Sequence, residues 1–198
     1  MKSKKELELF LSKLKDFENK EIILEQYTTP SNIAAEILWF AFMNKEIKSK
    51  TIMDLGCGNG IFGIGALKLG AKKVYFIDKS DEAIEIVKNN LKNFKINLKK
   101  CVFIKKDIND LRKYNVDLII QNPPFGVKRE HADRDFLEKA LEFSAIVYSL
   151  HKFESKVFIE KNFGGKLIFR FKFPIKKSYK FHRKDVYFVD VGCWKFLK

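Results

Sequence analysis

Apolar positions recur at helical spacing through residues 3–18, where Leu7, Phe10, Leu11, Leu14 and Phe17 share a face. Ser3, three residues before Glu6, has the form of a capping box and marks the start of that helix. The pattern breaks across Leu24-Glu25-Gln26-Tyr27-Thr28-Thr29-Pro30, and Ser31 opens a second apolar helix that runs to about residue 44. From there short apolar runs alternate with helical patterns. Residues 51–55 read as a strand, 56–60 as a glycine-rich loop, and the stretch to 69 as a helix. Residues 73–78 read as a strand and 80–94 as a helix, with further strands at 101–105 and 116–121. Helix, strand and helix follow at 133–143, 147–151 and 154–162. After a Gly164-Gly165 turn, residues 166–173 and 185–196 read as two strands with no helix between them.

Alternation at this period predicts an α/β fold with a parallel, doubly wound sheet. The last two strands lack a crossover helix and must therefore be antiparallel. No repeat or linker divides the chain, so a single domain over 1–198 is expected, with 1–45 as an N-terminal helical extension.

Composition narrows the class. A chain of 198 residues can bury a full core, and 46% hydrophobic with 14% aromatic residues excludes a disordered chain. The longest apolar runs, such as 116–120, fall far short of the ~20 residues that span a bilayer, and residues 1–15 show no secretory signal. Cys57, Cys101 and Cys193 lie far apart, which excludes a four-cysteine zinc site and argues for a reducing, cytoplasmic location. Three histidines without nearby Cys or carboxylate spacing argue against any metal site. Net charge is +14, and a domain this basic usually meets a polyanion. Arg stands only at 112, 129, 134, 170 and 183, and so heavy a Lys excess also fits a compositional bias.

Asp54-Leu55-Gly56-Cys57-Gly58-Asn59-Gly60 leaves the first parallel strand and enters a helix. Glycines there allow a tight turn and the close approach of a ligand. Asp78 ends the second strand, where a carboxylate can accept both ribose hydroxyls of a nucleoside. Asp107 and Ile108 follow the third strand, and Asp107 can accept from an adenine amino group. Gly58, Gly60 and Gly63 also spell the dinucleotide fingerprint, which keeps a nicotinamide dehydrogenase open. Against it, Asp54 can face the amino group of an amino-acid moiety, whereas a pyrophosphate gains nothing from a carboxylate.

Asn122-Pro123-Pro124-Phe125 follows the fourth strand at its carboxyl end, where ligands bind in open α/β sheets. An exocyclic amine on a base is a poor nucleophile. The Asn122 side-chain oxygen and a backbone carbonyl can accept its hydrogens and stabilise the charge that develops as a methyl group arrives. Pro123 and Pro124 stiffen the loop, and Phe125 offers a stacking surface for a planar base. Thr29 and Gln26 lie between the first two helices, where they can close over a cofactor as a lid. Tyr179, Lys180, Phe181, His182, Arg183 and Lys184 interleave aromatics with cations, the physics of RNA binding. Lys128, Arg129, His131 and Arg134 follow the tetrapeptide and are expected to border the substrate entrance.

Asp54-x-Gly56-x-Gly58-x-Gly60 resembles the first motif of class I S-adenosylmethionine-dependent methyltransferases. That resemblance implies a Rossmann-like, seven-stranded, mostly parallel sheet ending in an antiparallel hairpin, with S-adenosylmethionine as cofactor. The Asn-Pro-Pro-Phe tetrapeptide resembles the signature of amino-group methyltransferases acting on adenine N6, cytosine N4, guanine N2 or a protein glutamine. Leu24-Glu25-Gln26-Tyr27, Asn122-Pro123-Pro124-Phe125-Gly126, Val147-Tyr148-Ser149-Leu150-His151-Lys152 and Ser178-Tyr179-Lys180-Phe181-His182 together resemble the methyltransferase-like protein five group. This resemblance implies N6-methylation of an adenosine in small-subunit ribosomal RNA, and a Trm112-type zinc-binding activator as partner. Pro30 directly after Thr29 departs from the group's usual spacing. A guanine-N2 or protein-glutamine methyltransferase, or a non-catalytic basic RNA-binding module, are the alternatives.

Overall fold

The computed structural model describes residues 1–17, 28–125, 132–176 and 186–198. Helices α1 (Lys4–Leu11) and α2 (Ser31–Met43) precede an alternating series: β1 (Thr51–Leu55), α3 (Ile61–Lys68), β2 (Lys73–Asp78), α4 (Asp81–Asn93) and β3 (Cys101–Lys105). There follow β4 (Leu118–Gln121), α5 (Ala132–Phe143), β5 (Ile146–Lys152), α6 (Lys156–Phe163), β6 (Lys166–Lys176) and β7 (Val186–Leu197). The seven strands form one sheet in the order β3-β2-β1-β4-β5-β7-β6. β1 pairs in parallel with β2 and β4, β2 with β3, and β4 with β5. β7 inserts antiparallel between β5 and β6, as the missing crossover helix requires.

The first helix is shorter than its apolar period. Ser3 Oγ accepts from the Glu6 N–H at 3.1 Å, but the Glu6 carboxylate takes the Lys2 N–H at 2.6 Å rather than that of Ser3, so the capping box is half formed. After Leu11 the Lys13 and Leu14 N–H groups turn back to Phe10 and Leu11. Lys15 is then captured by Asn90 of α4, whose Oδ1 accepts its N–H at 2.9 Å and whose Nδ2 donates to its carbonyl at 3.0 Å. The helix thus stops at Leu11 where periodicity alone would have carried it to residue 18, and a tertiary contact holds the chain beyond it. The strand read at 116–121 begins only at Leu118, because Asp117 turns its carboxylate onto the Thr51 N–H at 2.7 Å.

Two apolar layers sandwich the sheet. One packs Leu7, Leu11, α2 and α3 with Ile84, Val87 and Leu91 of α4 against Ile52, Val74, Phe76, Leu118 and Ile120. The other packs Leu137, Ala140 and Phe143 of α5 and Ile159 of α6 against Met53, Leu55, Ile77, Ile119, Val147, Trp194 and Phe196. Strand residues divide between the layers by alternation, which fixes the register. Among the described residues, no helix is long and apolar enough to cross a membrane.

Candidate active site

β1, β2 and β4 end on the same side of the sheet, and strand order reverses between β1 and β4. A crevice outside the carboxyl ends of the strands is where such sheets bind ligands. Gly56, Gly58 and Gly60 follow β1 at that end of the sheet, all in the left-handed region, and a Cβ at Gly60 (φ +82°) would meet Val87 Cγ2 at 2.9 Å. Only glycine makes this turn at that distance from α4. Asn59 is buried within the turn, and its carbonyl accepts from Asn90 Nδ2 at 3.1 Å. Phe17 packs beside Gly58, and Phe136 of α5 beside Gly56.

Asp54 is buried, and its Oδ2 accepts the Gly63 N–H at 2.8 Å, capping the first turn of α3 from the end of β1. Burial pushes its carboxyl well above the ordinary range, the Gly63 hydrogen bond opposes this, and the charge of Asp78 adds to it. Asp78 receives the Gly58 N–H on one oxygen and the Ser80 N–H on the other, each at 3.0 Å. Burial raises its pKa, and those hydrogen bonds hold it back. Cys57 is raised by burial and by both carboxylates, so its thiol stays protonated and is no nucleophile. Asp107 caps the short turn Ile108–Asp110, accepting from the Asn109 N–H at 3.0 Å and side chain at 2.8 Å, and Ile108 is buried.

Asn122 stands directly after β4. Its Nδ2 donates to the hydroxyl of buried Thr29 at 3.1 Å, across 93 residues of sequence. The amide turns its nitrogen to that hydroxyl and so bridges β4 to the N-terminal segment. Pro123 and Phe125 are buried, and the Phe125 ring meets Phe173 of β6 edge-on, centroids 5.8 Å apart. Arg134 lies in the first turn of α5, half-exposed and paired with Glu138 at 2.7 Å. Gln26, Lys128, Arg129, His131, Tyr179, Lys180, Phe181, His182, Arg183 and Lys184 lie outside the described residues. Among the described residues, no group of His, Cys, Asp and Glu could hold a metal ion.

Three residues in this arrangement were not singled out by sequence: Asn90, Phe136 and Phe173. Asn90 carried a signal, since it falls on the apolar face of α4 with Ile84, Val87 and Leu91. A polar side chain there must find buried partners. Phe136 and Phe173 carried none, because nothing in an apolar pattern says which aromatic meets the site.

A crevice for a nucleoside with a ribose acceptor is common to dinucleotide enzymes and methyltransferases. The reversed β7 between β5 and β6 separates this sheet from the dinucleotide-binding arrangement. The fold and crevice are those of a class I S-adenosylmethionine-dependent methyltransferase. Residues 31–146 match the methyltransferase small domain family, and the chain belongs to it. Over 202 residues it is 32% identical to the rRNA N(6)-adenosine-methyltransferase Mettl5 of Drosophila melanogaster, covering 97% of this chain and 95% of that protein. The zebrafish (Danio rerio) METTL5 protein is 32% identical over 203 residues, covering 97% of each chain. This chain is a member of that methyltransferase-like protein five group. The solved structure of PH1948 from Pyrococcus horikoshii is 42% identical, with a TM-score of 0.88 over 100% of this chain and 98% of that one. The residues fit the cofactor: the glycine turn admits a close ligand, and Asp78 keeps acceptor capacity beyond the two N–H groups it receives.

Proposed function

We propose that this protein methylates the N6 amine of an adenosine in small-subunit ribosomal RNA. The observation that carries the reading is the place of Asn122-Pro123-Pro124-Phe125 directly after β4, at the carboxyl end of the sheet, with the Asn122 amide joined to Thr29 of the N-terminal segment. The relatives named for rRNA adenosine N6-methylation match this chain over nearly its whole length, and the +14 charge suits an RNA substrate.

In this reading Asp78 takes the ribose hydroxyls and Asp107 with Ile108 the adenine. The turn at Gly56, Gly58, Asn59 and Gly60, with Asp54 behind it, takes the amino-acid end. The segment carrying Gln26 and Thr29, within the 1–45 extension, closes over the crevice as a lid. S-adenosylmethionine held there would supply an electrophilic methyl group, its S–CH3 bond breaking as the C–N bond forms and leaving the neutral thioether of S-adenosylhomocysteine. Asn122 Oδ1 and the Pro123 carbonyl accept the two N6 hydrogens and stabilise positive charge as the new C–N bond forms. The amine then gives one proton to solvent. Pro123 and Pro124 keep the carbonyls aimed, and Phe125 presents its ring to the flipped base. Lys128, Arg129, Arg134, Tyr179, Lys180, Phe181 and His182 contact the RNA strand. Beyond the Lys152–Val191 pair, β6 and β7 continue past the end of β5 with exposed Phe188 and Lys172, extending that surface beside the site. A Trm112-type activator docks on the β3 edge. The setting is cytoplasmic.

The test is methyl transfer to purified small- and large-subunit RNA, read by nucleoside mass spectrometry, with wild type and Asn122→Ala. N6-methyladenosine in small-subunit RNA only, lost in the variant, is expected. Label on guanine, on protein or only on large-subunit RNA overturns the reading.

A further inference from the structure

β5 is buried on both faces, yet its inward positions include Ser149 and His151. Ser149, His151 and the neighbouring Gln121 of β4 are at most 1% exposed. Burying three polar side chains costs free energy unless they pair, and here they pair in single file. Gln121 Nε2 donates to Ser149 Oγ at 2.9 Å, Ser149 Oγ lies 2.7 Å from His151 Nε2, and His151 Nδ1 lies 3.2 Å from Asp133 Oδ2 in the first turn of α5. One set of protons makes every link of the file a donor–acceptor pair. The carboxylate accepts from Nδ1–H, Nε2 of the neutral ring accepts the Ser149 hydroxyl, and Ser149 Oγ accepts from Gln121. Asp133 is held below the usual carboxylate range: burial, the largest single effect, pushes it up, but the interactions with His151 and the Arg134 and Asp133 N–H groups together outweigh it.

Ser, His and Asp at these distances have the composition of a hydrolytic triad. Ser149, however, is wholly buried and engaged on both sides, so no substrate carbonyl can reach it. What the file joins is more informative. Gln121 is the residue before Asn122, and Asp133 is the second residue of α5. Both ends of the stretch that begins with the tetrapeptide are therefore tied to β5. Among the described residues the buried Gln121 Oε1 has no hydrogen-bond partner, and Ser149 holds the amide through its nitrogen.

We propose that Ser149, His151 and Asp133 are positioning residues for methyl transfer. They fix the Gln121 side chain, and through it the point where β4 hands over to Asn122. The proposal rests on the reading of Asn122 as amine acceptor. A preorganised acceptor loses rate steeply when displaced by a fraction of an ångström, while cofactor and RNA bound by other residues are little affected.

The experiment compares wild type, Ser149→Ala, Asp133→Ala, the double variant, Asp133→Asn and Asn122→Ala. It reads kcat and KM on ribosomal RNA, calorimetric binding of S-adenosylhomocysteine, and melting temperature. Each alanine variant is expected to lose about tenfold in kcat, with KM and cofactor affinity within about twofold of wild type. The double variant should be no slower than the worse single, because both break one file. Asp133→Asn, which keeps an acceptor for Nδ1–H, should recover most of the rate. Wild-type kcat in both single variants while Asn122→Ala is inactive overturns the proposal and leaves the reading of Asn122 standing. Losses that multiply, or that follow KM and cofactor affinity, also overturn it. Wild-type turnover in Asn122→Ala removes that reading and the proposal together. Asp133 is partly exposed, so Asp133→Ala carries the test if Ser149→Ala does not fold.

Discussion

Asp78 is a carboxylate that burial disfavours and two backbone N–H groups retain. Ribose hydroxyls donating to it would favour the ionised form further. Asp78→Ala should therefore weaken S-adenosylmethionine by about 2–3 kcal/mol, read by calorimetry. Its folded pKa lies above the ordinary carboxylate value, and binding prefers the anion. Affinity should then be full above that raised pKa and fall as pH drops through it, which puts the loss at less acidic pH than for a free carboxylate. Asp78→Asn should flatten the profile, and an unchanged profile would remove Asp78 as the titrating acceptor. For Asn122→Ala the expected loss is roughly 10²–10³ in kcat, comparable to losing one preorganised charge-stabilising group. Thr29→Val keeps the shape but removes the acceptor for Asn122 Nδ2, so it should lose part of that rate, and Thr29→Ser should restore it. Equal rates in Thr29→Val and wild type would show that the Thr29 hydrogen bond does not aim the amide.

At the scale of elements, the parallel strands and the reversed final pair were legible because apolar runs, glycines and a missing crossover helix are local signals. The glycine turn and the Asn-Pro-Pro-Phe tetrapeptide were legible for the same reason: each is contiguous. What could not be read is what contiguity does not encode. The chain after α1 is held at Lys15 by Asn90, 75 residues on, and Phe125 is met by Phe173 through a strand that returns antiparallel. His151 sits 1% exposed between Ser149 and Asp133, the latter on another element that no contiguous pattern points to. Asn90 also makes an element-level prediction. It ties α4 to the chain after α1 and to the Asn59 carbonyl of the glycine turn, all at once. Asn90→Ala leaves those groups without that partner and should cost about 1–3 kcal/mol of unfolding free energy, with weaker cofactor binding. Denaturant unfolding and calorimetry check both. Weaker unfolding stability with intact cofactor affinity would limit Asn90 to holding the N-terminal segment.

Across the whole molecule, the two sheet edges are built differently. β6 is defended in the ways that block further pairing: Arg170 and Lys172 stand on it, and a register irregularity interrupts it between Leu167 and Phe169. β3 runs Cys101-Val102-Phe103-Ile104, all half-buried, before its single charge at Lys105, which pairs with Asp81. Among the described residues it pairs with β2 alone. An undefended apolar edge of this kind suits a partner that adds a strand, and the backbone supplies the affinity. Phe103 is a poor probe of that contact, because its ring stacks on Phe76 at 5.8 Å and 17° within its own layer. Val102→Lys places a gatekeeper charge on the edge while leaving that stack intact. A Trm112-type protein should raise the melting temperature of the wild type and protect β3 amides from hydrogen exchange. It should do neither for Val102→Lys, whose own melting temperature should match that of the wild type alone. Equal protection in both proteins would place the partner elsewhere.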